Sequence, residues 1–277
     1  MAWWQWGPSD APHVVICVHG LSRQGRDFDV LAQALCERAA GRVRVVCPDV
    51  VGRGRSDWLQ DPMAYQIPGY VADMQVLIQH LSPTTLDWVG TSMGGLIGMV
   101  LSALPESPIR RLVLNDVGPA VQWEAIQRIS AYLGKTMRFA TQQEACDKLW
   151  AISTGFGPHT AEQWQALTRP MLQPAPDSST DWVLHYDPAI AVPVRQMTQE
   201  AAAQAEAVMW QLYDAIRAKT LLLRGAESDL LLASTAQAMT QRGPKAQLVA
   251  WPGVGHAPTL LAPEQVQCVG DFLLNSD

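Results

Sequence analysis

Residues 90–95 read Gly-Thr-Ser-Met-Gly-Gly, set between the apolar run "TLDWV" (85–89) and the stretch "LIGMVLSAL" (96–104). A small hydroxyl residue stands among glycines where a strand gives way to a helix. The spacing is G-x-S-x-G, the pattern of a nucleophile elbow when strand and helix flank it. Such a turn holds its serine in strained backbone angles, and the positions two before and two after come too close for side chains. Gly90 and Gly94 meet that demand. Ser92 would then stand clear of the sheet at a helix N-terminus, whose dipole favours developing negative charge. The bland alternative is a glycine-rich turn with an incidental serine, and the rest of the chain decides between the two.

Outward from this turn, short apolar runs alternate with helical patterns. "HVVICV" (13–18), "RVRVVC" (42–47), "TLDWVG" (85–90), "RRLVLN" (110–115), "KTLLLR" (219–224) and "AQLVAW" (246–251) read as strands buried on both faces, with "WWQW" (3–6) as an added edge strand. Residues 27–40 place Phe28, Leu31, Leu35 and Ala39 on one stripe. Residues 69–81 do the same with Val71, Met74, Leu77, Ile78 and Leu81, and residues 94–104 are apolar nearly all round. The alternation predicts an α/β fold, a doubly wound and mostly parallel sheet with right-handed crossovers.

Residues 118–214 break the rhythm. They show helical stretches at 121–133, 141–151, 160–169 and 198–216, punctuated by prolines, and no clear strand. This predicts a core domain from 1–117 and 215–277, carrying a helical insertion at 118–214. At about 95 residues the insertion is far longer than an ordinary connection. A lid over the carboxyl ends of the strands is the functional reading, and an elaborated surface is the bland one.

A serine hydroxyl needs a base to attack anything near neutral pH. Of six histidines, only His256, in "PGVGHAP" after the last strand, lies where the order Ser…acid…His puts the base. The third member should be a carboxylate that orients the imidazole. Asp229, in "GAESDLLL" after "TLLLR", is the favoured candidate; Glu227 and Asp116 compete with it. Oxyanion donors are expected from the backbone N–H of Met93 and from that of Leu21, in "HGLSRQGRDFD" after the first strong strand. His19 reads as packing for that loop, and Ser22, Arg23 and Gln24 as its pocket mouth. "PDVVGRGRSD" (48–57) lacks the lysine and helix of a phosphate loop and reads as a structural turn.

The bulk numbers fit. A net charge of −6 and the lack of a basic, aromatic-interleaved patch argue against nucleic acid or an anionic membrane as partner. The five cysteines form no CxxC pair, and no stretch reads as a signal peptide or membrane span, so a cytoplasmic protein is expected. No His, Cys or carboxylate cluster has metal-ligand spacing, so neither metal nor cofactor is expected.

Taken together, "HGLSRQGRDFD", "PDVVGRGRSD", "GTSMGG", "RGAESD" and "GVGHAP" stand in the order found in the α/β-hydrolase superfamily, which the chain resembles over nearly its whole length. The resemblance implies a triad of Ser92, Asp229 and His256, an oxyanion hole at Leu21 and Met93, and a cap at 118–214. Few residues precede the first strong strand, so the family's opening antiparallel hairpin is expected in shortened form. Serine at position 92 sets the chain apart from haloalkane dehalogenases and epoxide hydrolases, which use aspartate there. Ring-cleavage-product hydrolases share "SMGG" but usually carry Asn before the serine and an aromatic soon after the histidine. Here those positions hold Thr91 and Ala257-Pro258.

The expected activity is therefore hydrolysis of small to medium acyl esters or lactones through an acyl-enzyme. C–C bond hydrolysis of a ring-fission product is the enzymatic alternative, and a low-turnover ligand-binding protein the non-enzymatic one. Trp123, Trp150, Phe156, Trp164 and Trp182 are candidates to line the pocket from the insertion, although aromatics there more often pack than bind. Oligomeric state and acyl preference are not encoded in any motif.

Overall fold

The structure is a computed structural model and describes residues 1–178 and 180–275. In chain order the first part runs β1 (Trp3–Trp6), β2 (His13–Val18), α1 (Asp29–Arg38), β3 (Val43–Pro48), α2 (Ile67–Leu81), β4 (Thr85–Thr91), α3 (Met93–Ala103) and β5 (Ile109–Asn115). The last part runs β9 (Lys219–Gly225), α9 (Ala233–Met239), β10 (Gln247–Trp251) and α10 (Pro263–Leu274). These strands form one seven-stranded sheet in the order β1-β3-β2-β4-β5-β9-β10. All neighbours are parallel except β1, which runs antiparallel to β3 with Trp3 opposite Pro48 and Trp6 opposite Val45.

The inner strands β2, β3, β4, β5 and β9 read as nearly unbroken apolar runs because both faces are covered. On β2, Val14, Ile16 and Val18 point into one core with Met74 of α2 and Ile97 of α3, while Val15 and Cys17 point into another with Leu31 and Leu35 of α1 and Leu273 of α10. β4 divides in the same way, with Leu86 and Trp88 on the first side and Val89 on the second. This is the period-two alternation of a strand, hidden in the sequence because neither face is wet. No helix among the described residues is long and apolar enough to cross a membrane.

Between β5 and β9 lie α4 (Trp123–Tyr132), β6 (Arg138–Phe139), α5 (Gln142–Ile152), α6 (Ala161–Thr168), β7 (Leu172–Pro174), β8 (Trp182–Leu184), α7 (Ala191–Gln196) and α8 (Gln199–Ala215). α4, α5, α6 and α8 fall on the four expected helical stretches, while α7 lies outside them. The three strands were not expected; they form an antiparallel sheet in the order β6-β8-β7. With only two or three residues each, they are too short to show alternation. This part has its own core of Phe139, Ala145, Cys146, Leu149, Trp164 and Leu167. The end of the expected insertion behaves differently: α8 packs against α3, and Tyr213 is buried in the main core.

Candidate active site

The sheet's order reverses at β2, which lies between β3 and β4, and ligand sites of open parallel sheets form at the carboxyl ends of the strands near such a point. Five turns converge there. Ser92 follows β4 with φ +51° and ψ −114°, a conformation that costs a non-glycine residue of order 1–3 kcal/mol and persists only where surroundings impose it. The imposition is visible. A Cβ on Gly90 would stand 2.3 Å from the Gly94 oxygen, and one on Gly94 would stand 2.0 Å from the Val18 oxygen. The Ser92 N–H donates to the Asn115 carbonyl at 3.0 Å, which ties the elbow to the end of β5.

Ser92 Oγ lies 3.0 Å from His256 Nε2, across a sequence separation of 164 residues. His256 Nδ1 lies 2.7 Å from Asp116 Oδ2. The carboxylate against the imidazole is therefore Asp116 and not Asp229. Asp229 instead pairs with Arg128 of α4, and both of these side chains are about half exposed. Glu227, the other competitor, accepts from the Gly253 N–H at 3.1 Å and is exposed. Asp116 is wholly buried and fully used: Gly225 N–H donates to Oδ1 at 2.8 Å, and Ser228 Oγ donates to Oδ2 at 2.5 Å. Like Ser92, it has a positive φ, +55°, which aspartate tolerates better than most side chains.

The loop after β2 faces the elbow, with Gly20 packed close to the Ser92 Cβ. Among the described residues, the N–H groups of Leu21 and Met93 have no protein partner. His19 is buried beneath the loop. Burial pushes its imidazole down to about 3, with the charges of Arg53 and Arg23 acting in the same direction. Neutral His19 donates from Nδ1 to the Gly20 carbonyl at 2.7 Å and accepts the Val50 N–H at Nε2, 3.0 Å. It braces the loop as the sequence suggested.

The expected pocket residues scatter. Arg23 forks onto Asp27 at 2.7 Å, reaches the Leu167 carbonyl at 3.2 Å and touches Met171, linking this loop to the insertion. Gln24 is buried, and Ser22 and Trp123 are half-buried. Trp164 is a core residue whose Nε1 donates to the Cys146 carbonyl at 2.8 Å, and Trp150 and Phe156 pack on it. Trp182 packs on the same cluster. Phe156 alone also reaches the Arg23 guanidinium, 5.8 Å from its centroid. The insertion meets the histidine loop as well: Gly255 N–H donates to the Gly155 carbonyl at 2.6 Å, and His159 Nε2 lies 2.8 Å from Thr259 Oγ1.

Two further residues support this arrangement. Ser228 holds Asp116, and Asn115 Nδ2 donates both to Thr91 Oγ1 at 2.9 Å and to the Pro258 carbonyl at 2.8 Å, joining the elbow to the histidine loop. The only sequence signal for Asn115 and Asp116 is an Asn-Asp pair ending a buried strand. Among the described residues no group of three or more His, Cys, Asp or Glu is arranged to hold a metal ion.

Comparison with known proteins agrees with this fold. The chain is 50% identical over 273 residues to a 3-hydroxybutyrate-oligomer hydrolase of Cupriavidus necator, covering 98% of this chain and 92% of that one. It is 26% identical over 242 residues to a 2-hydroxy-6-oxo-2,4-heptadienoate hydrolase of Pseudomonas putida, covering 84% and 79%. Among solved structures, an alpha/beta hydrolase from Novosphingobium aromaticivorans superposes with a TM-score of 0.84 at 36% identity, covering 98% of this chain and 92% of that one. Residues 15–266 match the profile described as the Alpha/beta hydrolase family, and the chain belongs to that family.

Proposed function

We propose that this protein hydrolyses carboxylic esters, with Ser92 as nucleophile, His256 as general base and acid, and Asp116 as the carboxylate that orients the imidazole. The observation that carries the reading is the relay itself: Ser92 Oγ to His256 Nε2 at 3.0 Å and His256 Nδ1 to buried Asp116 at 2.7 Å. Ser92 Oγ attacks the ester carbonyl and passes its proton to Nε2. Asp116 stabilises the imidazolium that forms, and the N–H groups of Leu21 and Met93 receive the oxyanion. His256 then protonates the departing alcohol. A water, deprotonated by the same nitrogen, releases the acid from Ser92. Residues between β5 and α8 act as the cap, since they touch both the Leu21 loop and the histidine loop.

An oligomer of a hydroxy acid is joined by ester bonds, so the substrate in the name of the 50% identical relative belongs to the class this relay cleaves. We assign short hydroxyacyl esters as the substrate class and the cytoplasm as the setting. The test is hydrolysis of p-nitrophenyl butyrate and of 3-hydroxybutyrate dimer and trimer by wild type and Ser92→Ala. Loss of about 10³-fold or more in kcat is expected for the variant. Undiminished turnover by Ser92→Ala sinks the reading. A ring-fission dienolate belongs in the same panel, and its consumption in preference to every ester replaces ester hydrolysis with C–C hydrolysis.

A further inference from the structure

The turn at 48–57 holds a charge that the relay above does not use. Arg53 is wholly buried, with 0% of its surface exposed. It is flanked by Gly52 and Gly54, both at positive φ, which turn its side chain beneath the active-site loops. Its Nε donates to the Leu21 carbonyl at 2.8 Å. One terminal nitrogen, Nη1, donates to the Val51 carbonyl at 2.7 Å and to the Tyr70 hydroxyl at 3.0 Å. The other, Nη2, lies 3.6 Å from Met93 Sδ. The guanidinium also faces the rings of Tyr70 and Tyr65, 5.1 and 5.7 Å from their centroids.

Among the described residues no carboxylate pairs with it. A carboxylate joined to its surroundings is Asp187, which accepts from the Tyr65 hydroxyl at 2.6 Å. Burial, reinforced by Asp187, pushes that phenol up to about 12, so it stays a neutral donor between the two charges. A buried cation without a counterion is costly, and buried charges are ordinarily paired. Arginine cannot escape the cost by losing its proton. An apolar residue of similar volume would avoid that desolvation cost, at the expense of the hydrogen bonds to Leu21, Val51 and Tyr70. The two residues Arg53 touches on the active-site side, Leu21 and Met93, are the two whose N–H groups are free beside Ser92.

We infer that Arg53 is a positioning residue for the oxyanion site: it fixes the Leu21 loop against the start of α3 and supplies the uncompensated positive charge behind the two amides. This rests on the ester-hydrolase reading above. When the carbonyl oxygen becomes an anion, Arg53 acquires the opposite charge it lacks in the resting protein. The interaction is therefore stronger in the transition state than in the ground state, which is what accelerates a chemical step. Its effect runs through two backbone groups, and substrate does not touch it.

The experiment uses Arg53→Lys and Arg53→Met, because the second alone could simply fail to fold. Both are checked by circular dichroism and thermal melting, then measured with p-nitrophenyl butyrate and with phenylboronic acid, whose adduct on a serine is tetrahedral and anionic. Expected for Arg53→Met is a fall of about 10- to 100-fold in kcat, somewhat below the loss of an oxyanion donor itself, with KM nearly unchanged. Boronate affinity should fall by a similar factor. Arg53→Lys, which keeps the charge but cannot bridge the same partners, should recover part of both. A folded Arg53→Met with wild-type kcat and boronate affinity overturns the inference. So does a loss confined to melting temperature or to KM. The ester-hydrolase reading fails separately, through wild-type protein that neither turns over ester nor binds boronate, and the inference falls with it.

Discussion

The turn after β5 and the turn after β9 each present a carboxylate at the same edge of the sheet, and they treat it in opposite ways. Asp116 has no exposed side-chain surface and accepts from Gly225, Ser228 and His256. The Asp229 side chain is 58% exposed and meets only a surface arginine. Both satisfy the chain order Ser…acid…His, so order does not choose between them. Position in the sheet does. β5 lies between β4, which leads into Ser92, and β9, so its turn opens directly beside the elbow, and the histidine loop after β10 reaches across β9 to meet it. After β9 it is Ser228 that turns inward to Asp116, and the next residue faces out. A single step along the chain separates a buried partner of the relay from a solvated salt bridge.

The sharpest way to break this comparison is to neutralise each carboxylate without changing its shape. Asp116→Asn should lower kcat by about 10⁴-fold, because an amide no longer holds the imidazole in the required tautomer or stabilises its charged form. The fold should survive, since the substitution keeps the size and most of the hydrogen-bonding capacity. Steady-state kinetics on p-nitrophenyl butyrate, beside a melting curve, checks both. A larger loss from Asp229→Asn than from Asp116→Asn would hand the role back to the turn after β9.

Much of this molecule is legible in its sequence, for physical reasons that also mark where legibility stops. The five inner strands, β2, β3, β4, β5 and β9, announce themselves because burial on both faces demands nearly continuous Val, Leu and Ile. Ser92 and His256 are legible because glycine must flank an elbow and because the base must follow the last strand. The acid is not legible. Its identity depends on which turn is buried, a property of strand order and of a non-glycine residue at positive φ, and neither is written in local composition. The role of Arg53 is hidden for a similar reason: "GRG" says that the chain bends, not which way the arginine between the glycines points. The strands β6, β7 and β8 escape because two or three residues carry no period.

A smaller effect tests the support rather than the acid. Ser228→Ala removes one donor from Asp116 Oδ2 and leaves His256 as its remaining partner on that oxygen. Hydrogen bonds to charged groups contribute about 1.5–3 kcal/mol, but relaxation and water recover part of this. A fall of roughly tenfold in kcat/KM is expected, with Ser228→Thr retaining most of the activity because it keeps the hydroxyl. Should Ser228→Ala prove silent, the buried turn after β5 would be holding Asp116 through Gly225 alone. The contrast between the two turns would then rest on burial, not on a network.

The smallest expected effect belongs to the other side of the comparison. Asp229→Asn breaks an ion pair with Arg128 that is half exposed at both ends, and exposed pairs of this kind contribute less than about 1 kcal/mol. Its kcat should stay within about twofold of wild type, since nothing in the relay touches it. The pair does join the β9 turn to α4 of the insertion, so any change should appear in KM and should shrink as salt screens the wild-type pair. Measuring KM for Asp229→Asn and wild type at low and high sodium chloride separates the two possibilities. A difference that vanishes with salt makes Asp229 an electrostatic tie for the insertion. A loss of kcat that persists at high salt would mean that the exposed carboxylate reaches the imidazole during turnover, and the division of labour between the two turns would have to be redrawn.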